Sequence, residues 1–164
     1  MTGISTLDWP QIGEQLDAHG CAILRGVLDA AQCRALSGSY GDEQPFRSRV
    51  VMSRHGFGRG EYKYFTYPLP PRVAAIRDAL YAPLASIANR WNLAMGIDVR
   101  YPESHAAFLE RCRAAGQTKA TPLLQSQIDA KASCYQRLCI DDLLQTPSVL
   151  FSSLLRCAHR FGGW

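Results

Sequence analysis

The chain has 164 residues, of which 47% are hydrophobic and 20% are charged, and its formal net charge at pH 7 is +4. This length is sufficient for one domain with its own hydrophobic core, and this composition excludes an intrinsically disordered chain. The excess of positive charge is mild, so it permits an acidic partner without requiring one.

The sequence predicts neither a membrane-spanning helix nor a secretory signal. No apolar run approaches the ~20 residues that cross a bilayer, and the opening residues MTGISTLDW lack a cationic start and an apolar core. The cysteines at positions 21, 33, 112, 134, 139 and 157 follow no disulfide framework, so we expect reduced thiols. We therefore expect a cytoplasmic protein with no membrane partner.

The first predicted element is a helix that begins near residue 9. Asp8 and Gln11 have the spacing of a capping box, and Pro10 suits the first helical turn. Gly20 is placed to end the helix in a left-handed conformation. The residues expected on its inner face are Ile12, Leu16 and His19.

A strand and a second helix are predicted next. The apolar run at residues 21–28, broken only by Arg25 and Gly26, predicts a mostly buried strand. Asp29 and Gln32 form a second capping-box pattern, which opens the next helix. Its expected inner face comprises Cys33, Leu36 and Tyr40.

Residues 45–70 combine a hairpin pattern with basic and aromatic side chains. Alternating runs around Val50 and around Tyr62 flank a glycine-rich segment, which predicts a β-hairpin. The cations are Arg47, Arg49, Arg54, Arg59 and Lys63, against the single acid Glu61. The aromatic residues are Phe46, Phe57, Tyr62, Tyr64, Phe65 and Tyr67.

This hairpin has two interpretations. Cations that neutralise phosphates beside rings that stack on bases are typical of single-stranded nucleic-acid recognition. In that interpretation residues 46–67 contact nucleic acid, and the candidate substrate-binding residues are Arg47, Arg49, Arg54, His55, Tyr62, Lys63 and Tyr64. In the structural interpretation, the hairpin packs its rings inward and turns its arginines outward, and His55 is a solvated loop residue.

Helices are predicted to follow the hairpin. Prolines at positions 68, 70 and 71 end the strand and start a helix, which Pro83 is expected to interrupt. Ser104 is placed to cap a further helix, and residues 122–124 predict the start of a strand. The inward-facing positions of these helices are Val73, Ile76, Leu80, Leu84, Ile87, Ala88, Trp91, Phe108, Cys112 and Ala115.

Four segments together resemble a family of bacterial 2-oxoglutarate/Fe(II) oxygenases, to which oxidative demethylation of damaged DNA is attributed. They are HGCAILRGVLDAAQCRAL, FRSRVVMSRHGFGRGEYKYFTYPLP, SIANRWN and FLERCRAAGQTKATPLLQ. The resemblance runs from about residue 7 to residue 125. It implies an α+β fold in which residues 1–125 are the helix-rich N-terminal supporting portion of a double-stranded β-helix, or jelly roll, with most of its core strands missing.

The resemblance also implies Fe(II) and 2-oxoglutarate as cofactors. Such enzymes hold iron with two histidines and one carboxylate, and the family's His-x-Asp/Glu pair closely follows the Pro-Leu-Leu strand. None of the histidines at positions 19, 55, 105 and 159 has an acid two residues later. We therefore predict that this chain binds neither cofactor, and no catalytic, cofactor-binding or metal-binding residue is assigned.

Residues 126–164 do not match the family by their motifs, and a frameshift near the codon for Gln125 is one hypothesis for this divergent tail. We expect the tail to be helical or poorly ordered. A helix capped at residues 146–147 would carry an unpaired apolar face, which favours self-association. The spacing of Cys134, Cys139, Cys157 and His159 fits no common zinc pattern, so inert thiols are expected.

Two functions remain open from the sequence. The first is a truncated member of the 2-oxoglutarate/Fe(II)-dependent oxygenase family, of the nucleic-acid demethylating type, that is inactive as this chain. The alternative is a non-catalytic nucleic-acid-binding or interaction remnant. Turnover that depends on iron and 2-oxoglutarate would favour an active enzyme, whereas salt-sensitive nucleic-acid binding without iron would favour the alternative.

Overall fold

The computed structural model describes residue 4 and residues 6–56, 60–128, 134–139 and 155–158, with side chains up to residue 126. Within these ranges, the helices are α1 (Trp9–His19), α2 (Ala30–Gly38), α3 (Pro71–Ala94) and α4 (His105–Ala114). The strands are β1 (Phe46–Val51), β2 (Gly60–Phe65), β3 (Leu123–Ile128), β4 (Cys134–Cys139) and β5 (Leu155–Ala158). No helix in the described part of the chain is both long and apolar enough to cross a membrane.

The strands form one antiparallel sheet in the order β1-β2-β3-β4-β5. The predicted hairpin is confirmed: Arg49 lies opposite Lys63 and Val50 lies opposite Tyr62, with a bulge between residues 46 and 48. On the other side of β2, Lys63 lies opposite Leu124 of β3. Because β1 has a partner on one side only, it is an edge of the described sheet. The second sheet of a jelly roll stays a prediction.

The predicted strand at residues 21–28 is wrong. These residues form irregular backbone with a turn at Arg25 and Gly26, and Gly26 has a φ of +74°. Leu24, Val27 and Leu28 still pack against the core. The apolar run therefore correctly indicates that these three side chains are at least partly buried, but a glycine in the left-handed conformation interrupts the extended backbone that strand pairing needs.

The predicted helix caps are confirmed. The Asp8 carboxylate accepts a hydrogen bond of 3.0 Å from the backbone N–H of Gln11. Asp29 and Gln32 make the reciprocal bonds of a capping box, at 2.8 and 3.2 Å. Ser104 accepts from a backbone N–H in the first turn of α4 at 3.2 Å. These caps fix where α1, α2 and α4 begin, because each satisfies backbone donors that the helix leaves unpaired.

The predicted interruption at Pro83 is wrong, because α3 continues from Pro71 to Ala94. An interior proline removes one helical hydrogen bond and costs about 3 kcal/mol. Buried side chains on both sides of Pro83, namely Leu80, Tyr81, Ala85 and Ala88, offset that cost. Packing therefore outweighs the local preference.

Helix α3 covers one face of the sheet. Phe65 of β2 and Leu124 of β3 are buried against α3, where they meet Val73, Ile76 and Leu80. A second cluster joins α3 to α4 and comprises Tyr81, Ala85, Ala88, Tyr101 and Phe108. Because side chains alternate along a strand, the neighbours of Phe65 and Leu124 point to the opposite face of the sheet.

The described parts of the tail are strands. Residue 125, the predicted domain boundary, lies inside β3, and β4 extends the sheet beyond it. Residues 155–158 form β5, not the predicted helix, and the rest of that predicted helix lies outside the described residues.

Cys134 and Cys139 occupy opposite ends of β4, and five residues of strand separate their backbones by about 16 Å. That distance is too great for both to bind one zinc ion, and His159 lies outside the described residues.

Candidate nucleic-acid interface

The two faces of the hairpin carry different side chains. On the face towards α3, Lys63 and Phe65 are buried. On the other face, Tyr62 and Tyr64 are only partly buried. We call this the open face, and it comprises Ser48, Val50, Tyr62, Tyr64, Leu123 and Gln125. Tyr62 and Tyr64 therefore share the open face, whereas Lys63 lies on the opposite face of the sheet. That these residues contact a substrate stays a prediction.

The tyrosines of the open face form an aromatic pair beside a cation. The rings of Tyr62 and Tyr64 meet edge to face, with centroids 5.5 Å apart and planes at 84°. The guanidinium of Arg47 lies 4.5 Å from the centroid of the Tyr64 ring. Its Nε donates a hydrogen bond of 3.1 Å to the carbonyl of Ala120, which precedes β3. The cation–π contact with Tyr64 and the hydrogen bond to Ala120 together hold the Arg47 guanidinium in place over the ring.

Arg49 is engaged in an ion pair within the hairpin. Its guanidinium donates to one carboxylate oxygen of Glu61 through Nε at 2.8 Å and through a terminal nitrogen as well. Burial raises the pKa of Glu61, but hydrogen bonds from Arg49 and Tyr40 and the charges of Arg49 and Lys63 outweigh burial and lower it overall. Glu61 is thus held as a carboxylate, which takes up part of the positive charge of the stretch.

Lys63 has the most enclosed cation of the candidate set. Its side chain is 8% exposed, and its Nζ donates a hydrogen bond of 2.8 Å to the carbonyl of Tyr40. The ammonium also lies 4.9 Å from the ring centroid of Tyr40 and 5.3 Å from that of Phe46. The sequence did not identify Tyr40 as its partner. The available signal was the alternation of β2, which places Lys63 on the opposite face from Tyr62 and Tyr64.

Arg54 and His55 are exposed in the short 3-10 helix Met52–His55, where the chain turns after β1. Neither residue takes part in the hydrogen bonds, ion pair and ring contacts described above for the other candidate residues. Gly56 ends this turn with a φ of +75°, a conformation that favours glycine. The structure therefore separates the sequence candidates into the open face, the face towards α3 and the turn.

A cavity of about 190 Å³ opens at the β1 edge of the sheet. It brings together three of the candidate cations and one carboxylate that the sequence did not single out. Its lining residues are Glu43, Phe46, Arg47, Ser48, Arg49 and Lys63. We call it the edge cavity. Arg47 belongs both to this cavity and to the contact with Tyr64, so the cavity and the open face are adjacent.

An iron centre does not fit the described residues. Within them, no group of three or more histidine, cysteine, aspartate or glutamate side chains could hold a metal ion. The buried His105 instead pairs through Nδ1 with Asp78, which ties the start of α4 to α3. No catalytic step through iron can therefore be derived from these residues.

Sequence comparisons place the chain among known families. A family model named Oxygenase-NA, described as an oxygenase catalysing oxidative methylation of damaged DNA, matches residues 60–144. The resemblance thus continues beyond residue 125, where the motifs alone had ended it.

Two similar proteins come from two strains of Mycobacterium tuberculosis and are named Uncharacterized protein MT2286 and Uncharacterized protein Rv2227. Each is 33% identical over 90 residues, covering 55% of this chain and 34% of the relative. The matched segment therefore spans about a third of the length of these relatives. No solved structure matches the chain. Because the family model covers just over half of its residues, the chain belongs to the Oxygenase-NA family.

Proposed function

We propose that the protein is an oxygenase that removes methyl damage from nucleic acid, and that this chain supplies a surface that binds the nucleic acid. The observation that carries the second part is the Tyr62–Tyr64 pair, partly exposed on the open face with Arg47 fixed on the Tyr64 ring. The family to which the chain belongs supports the first part.

The open face has the chemistry that binding to a single strand or an extruded base requires. An aromatic ring that stacks on a base contributes about 1–3 kcal/mol, and this contribution depends little on sequence because every base has a flat face. An arginine beside the ring supplies charge for a phosphate. In Arg47 the cation is already positioned by Tyr64 and by Ala120, so little side-chain entropy is lost when a ligand binds.

We further propose that Fe(II) and 2-oxoglutarate serve the complete enzyme and are not bound by this chain alone. Sequence supports this proposal, since none of the histidines at 19, 55, 105 and 159 has an acid two residues later. An iron centre of this class needs two histidines and a carboxylate with open positions for its co-substrates. Nucleic-acid binding by this chain should therefore not depend on metal. Self-association, the other expected interaction, stays a prediction.

The test is fluorescence anisotropy with a labelled single-stranded oligonucleotide, in EDTA and over a range of salt. We expect salt-sensitive binding by the full chain, and a loss of about 1–3 kcal/mol, or 5- to 150-fold in Kd, for Tyr62→Ala and for Tyr64→Ala. Leu93→Ala, an exposed apolar site on α3, is the control and should bind like the wild type. Equal affinity of both tyrosine variants and the wild type would refute the assignment of the open face.

The same variants, prepared without EDTA, can be supplied with Fe(II) and 2-oxoglutarate anaerobically, then exposed to air and assayed for succinate. We expect no succinate above the level without protein. Succinate formation that a single histidine substitution abolishes would show that this chain is itself catalytic. Binding of the oligonucleotide without succinate would support a non-catalytic nucleic-acid-binding role for the chain.

A further inference from the structure

We propose that the edge cavity binds a single phosphodiester group of a nucleic-acid backbone. This inference rests on the proposed function and gives it a location, because Arg47 both lines the cavity and stacks on Tyr64. A phosphate in the cavity and a base on the open face could thus belong to one strand. The lining residues supply donors, charge and space that suit this group.

The cations of the cavity keep hydrogen-bond donors beyond those already engaged. Lys63 has three N–H donors, of which one contacts the Tyr40 carbonyl. Arg47 and Arg49 have five donors each. Arg47 bonds Ala120 through Nε and contacts Ser48 at 3.5 Å, and Arg49 uses Nε and one terminal nitrogen for Glu61. Three cationic residues with remaining donors line one cavity, and such donors suit the oxygens of a phosphate.

The balance of charge favours an anion with a single negative charge. Arg47, Arg49 and Lys63 face two carboxylates, Glu61 in the ion pair and Glu43 in the lining, so one positive charge remains. A phosphodiester carries one negative charge and would neutralise the site. A phosphomonoester or a dicarboxylate would bring a second negative charge close to Glu43, which disfavours it.

Burial and size give the same conclusion. Removing an ammonium from water costs several kcal/mol unless an opposite charge compensates. The 8%-exposed Lys63 directly contacts one carbonyl and two rings, and the nearby carboxylate of Glu61 is shared with the guanidinium of Arg49, so its compensation of Lys63 is only partial. An anion in the cavity would supply that compensation. The volume of about 190 Å³ is below the ~300 Å³ at which pockets for whole small molecules begin. The cavity therefore suits one group of a larger ligand.

The experiment uses the full chain and a labelled oligothymidylate. We expect Lys63→Met to weaken binding at least 5-fold and to reduce the slope of log Kd against log salt by about one. Lys119→Met, the matched change at an exposed lysine outside the cavity, should leave both unchanged. Glu43→Gln should tighten binding, because it removes a negative charge beside the phosphate. An oligonucleotide with methylphosphonate links, which lack the charge, should not respond to Glu43→Gln.

A second probe tests the cavity without the bases. Dimethyl phosphate should shift the Nε–H signals of Arg47 and Arg49 in ¹H–¹⁵N spectra, and should leave that of the exposed Arg113 unchanged. If the tyrosine variants lose affinity while Lys63→Met and Glu43→Gln bind like the wild type, the cavity assignment is wrong and the proposed function stands. If dimethyl phosphate shifts neither arginine, the assignment is also wrong. If Lys63→Met fails to fold, the affinity of Glu43→Gln and the dimethyl phosphate titration still test whether the edge cavity binds a phosphodiester.

Discussion

Replacing Phe65 by alanine should loosen the hairpin from the helical layer. Phe65 is 0% exposed, and its ring stacks on Phe46 with centroids 4.8 Å apart and an interplanar angle of 29°. It lies in the core cluster with Val73, Ile76 and Leu80 of α3. It is thus the side chain through which β2 contacts the helix that covers the sheet.

The magnitude follows from complete burial. Transfer of a phenylalanine side chain from water accounts for about 1.5–3 kcal/mol, and the cavity left by truncation raises the measured loss to about 3–5 kcal/mol. The stacked contact with Phe46 is part of this total, at about 0.5–1.5 kcal/mol. Since a domain is stable by about 5–15 kcal/mol, Phe65→Ala should remove between about a fifth and all of the free energy of unfolding.

The assay is urea unfolding of the full chain followed by far-UV circular dichroism. With a slope of about 2 kcal/mol per molar urea, the midpoint should fall by about 2 M. Phe65→Leu should lose much less, because it keeps most of the apolar volume. The surface control is Leu93→Ala, since Leu93 is 68% exposed and such changes cost about 0.5 kcal/mol or less. A loss for Phe65→Ala equal to that of Leu93→Ala would refute the reasoning.

Two further predictions concern the helices. The pKa of Asp17 is lowered by hydrogen bonds from Arg90 and from Trp91, so the stability it contributes is present above its unfolded pKa and is lost as pH falls through the folded pKa. The difference in unfolding free energy between wild type and Asp17→Asn should be constant near neutral pH and vanish in acid; a difference that persists in acid would contradict the role of the carboxylate. Asp29→Ala should cost about 1 kcal/mol because it removes the capping box of α2, whereas the exposed loop change Asp98→Ala, measured by the same urea unfolding, should cost less than about 0.5 kcal/mol. Equal losses for the two aspartates would show that the cap contributes nothing.

Local signals predicted the helix starts and the hairpin correctly, because their causes lie within a few residues. The Asp8 and Asp29 caps each need one side chain and one nearby backbone N–H. The failures at residues 21–28 and at Pro83 have a different cause. An apolar run forms a strand only where a partner strand can pair with it, which residues 21–28 lack within the described part of the chain. A proline is tolerated inside a helix when buried side chains on both sides of it stabilise the helix, as they do around Pro83. Both outcomes depend on contacts that are distant in sequence.

The same distinction explains what the sequence showed of the candidate site. In the sequence pattern, nothing distinguishes Arg47, Arg49 and Lys63, which are all cations close to tyrosines. Their roles differ because their partners differ: Ala120 for Arg47, Glu61 for Arg49 and Tyr40 for Lys63. Of these partners, Ala120 lies 73 residues away in sequence and Tyr40 lies 23 residues away, which no strand pattern could reveal.

A count of basic side chains therefore overstates how many of them are available to nucleic acid. Glu61 already compensates Arg49, and Lys63 is enclosed beneath the edge of the sheet. Any binding that depends on them must draw the phosphate into the edge cavity, because neither cation lies on the open face. Arg47 alone of the three joins that cavity to the Tyr64 ring. Its position, rather than the total charge of the hairpin, makes joint recognition of a phosphate and a base geometrically reasonable.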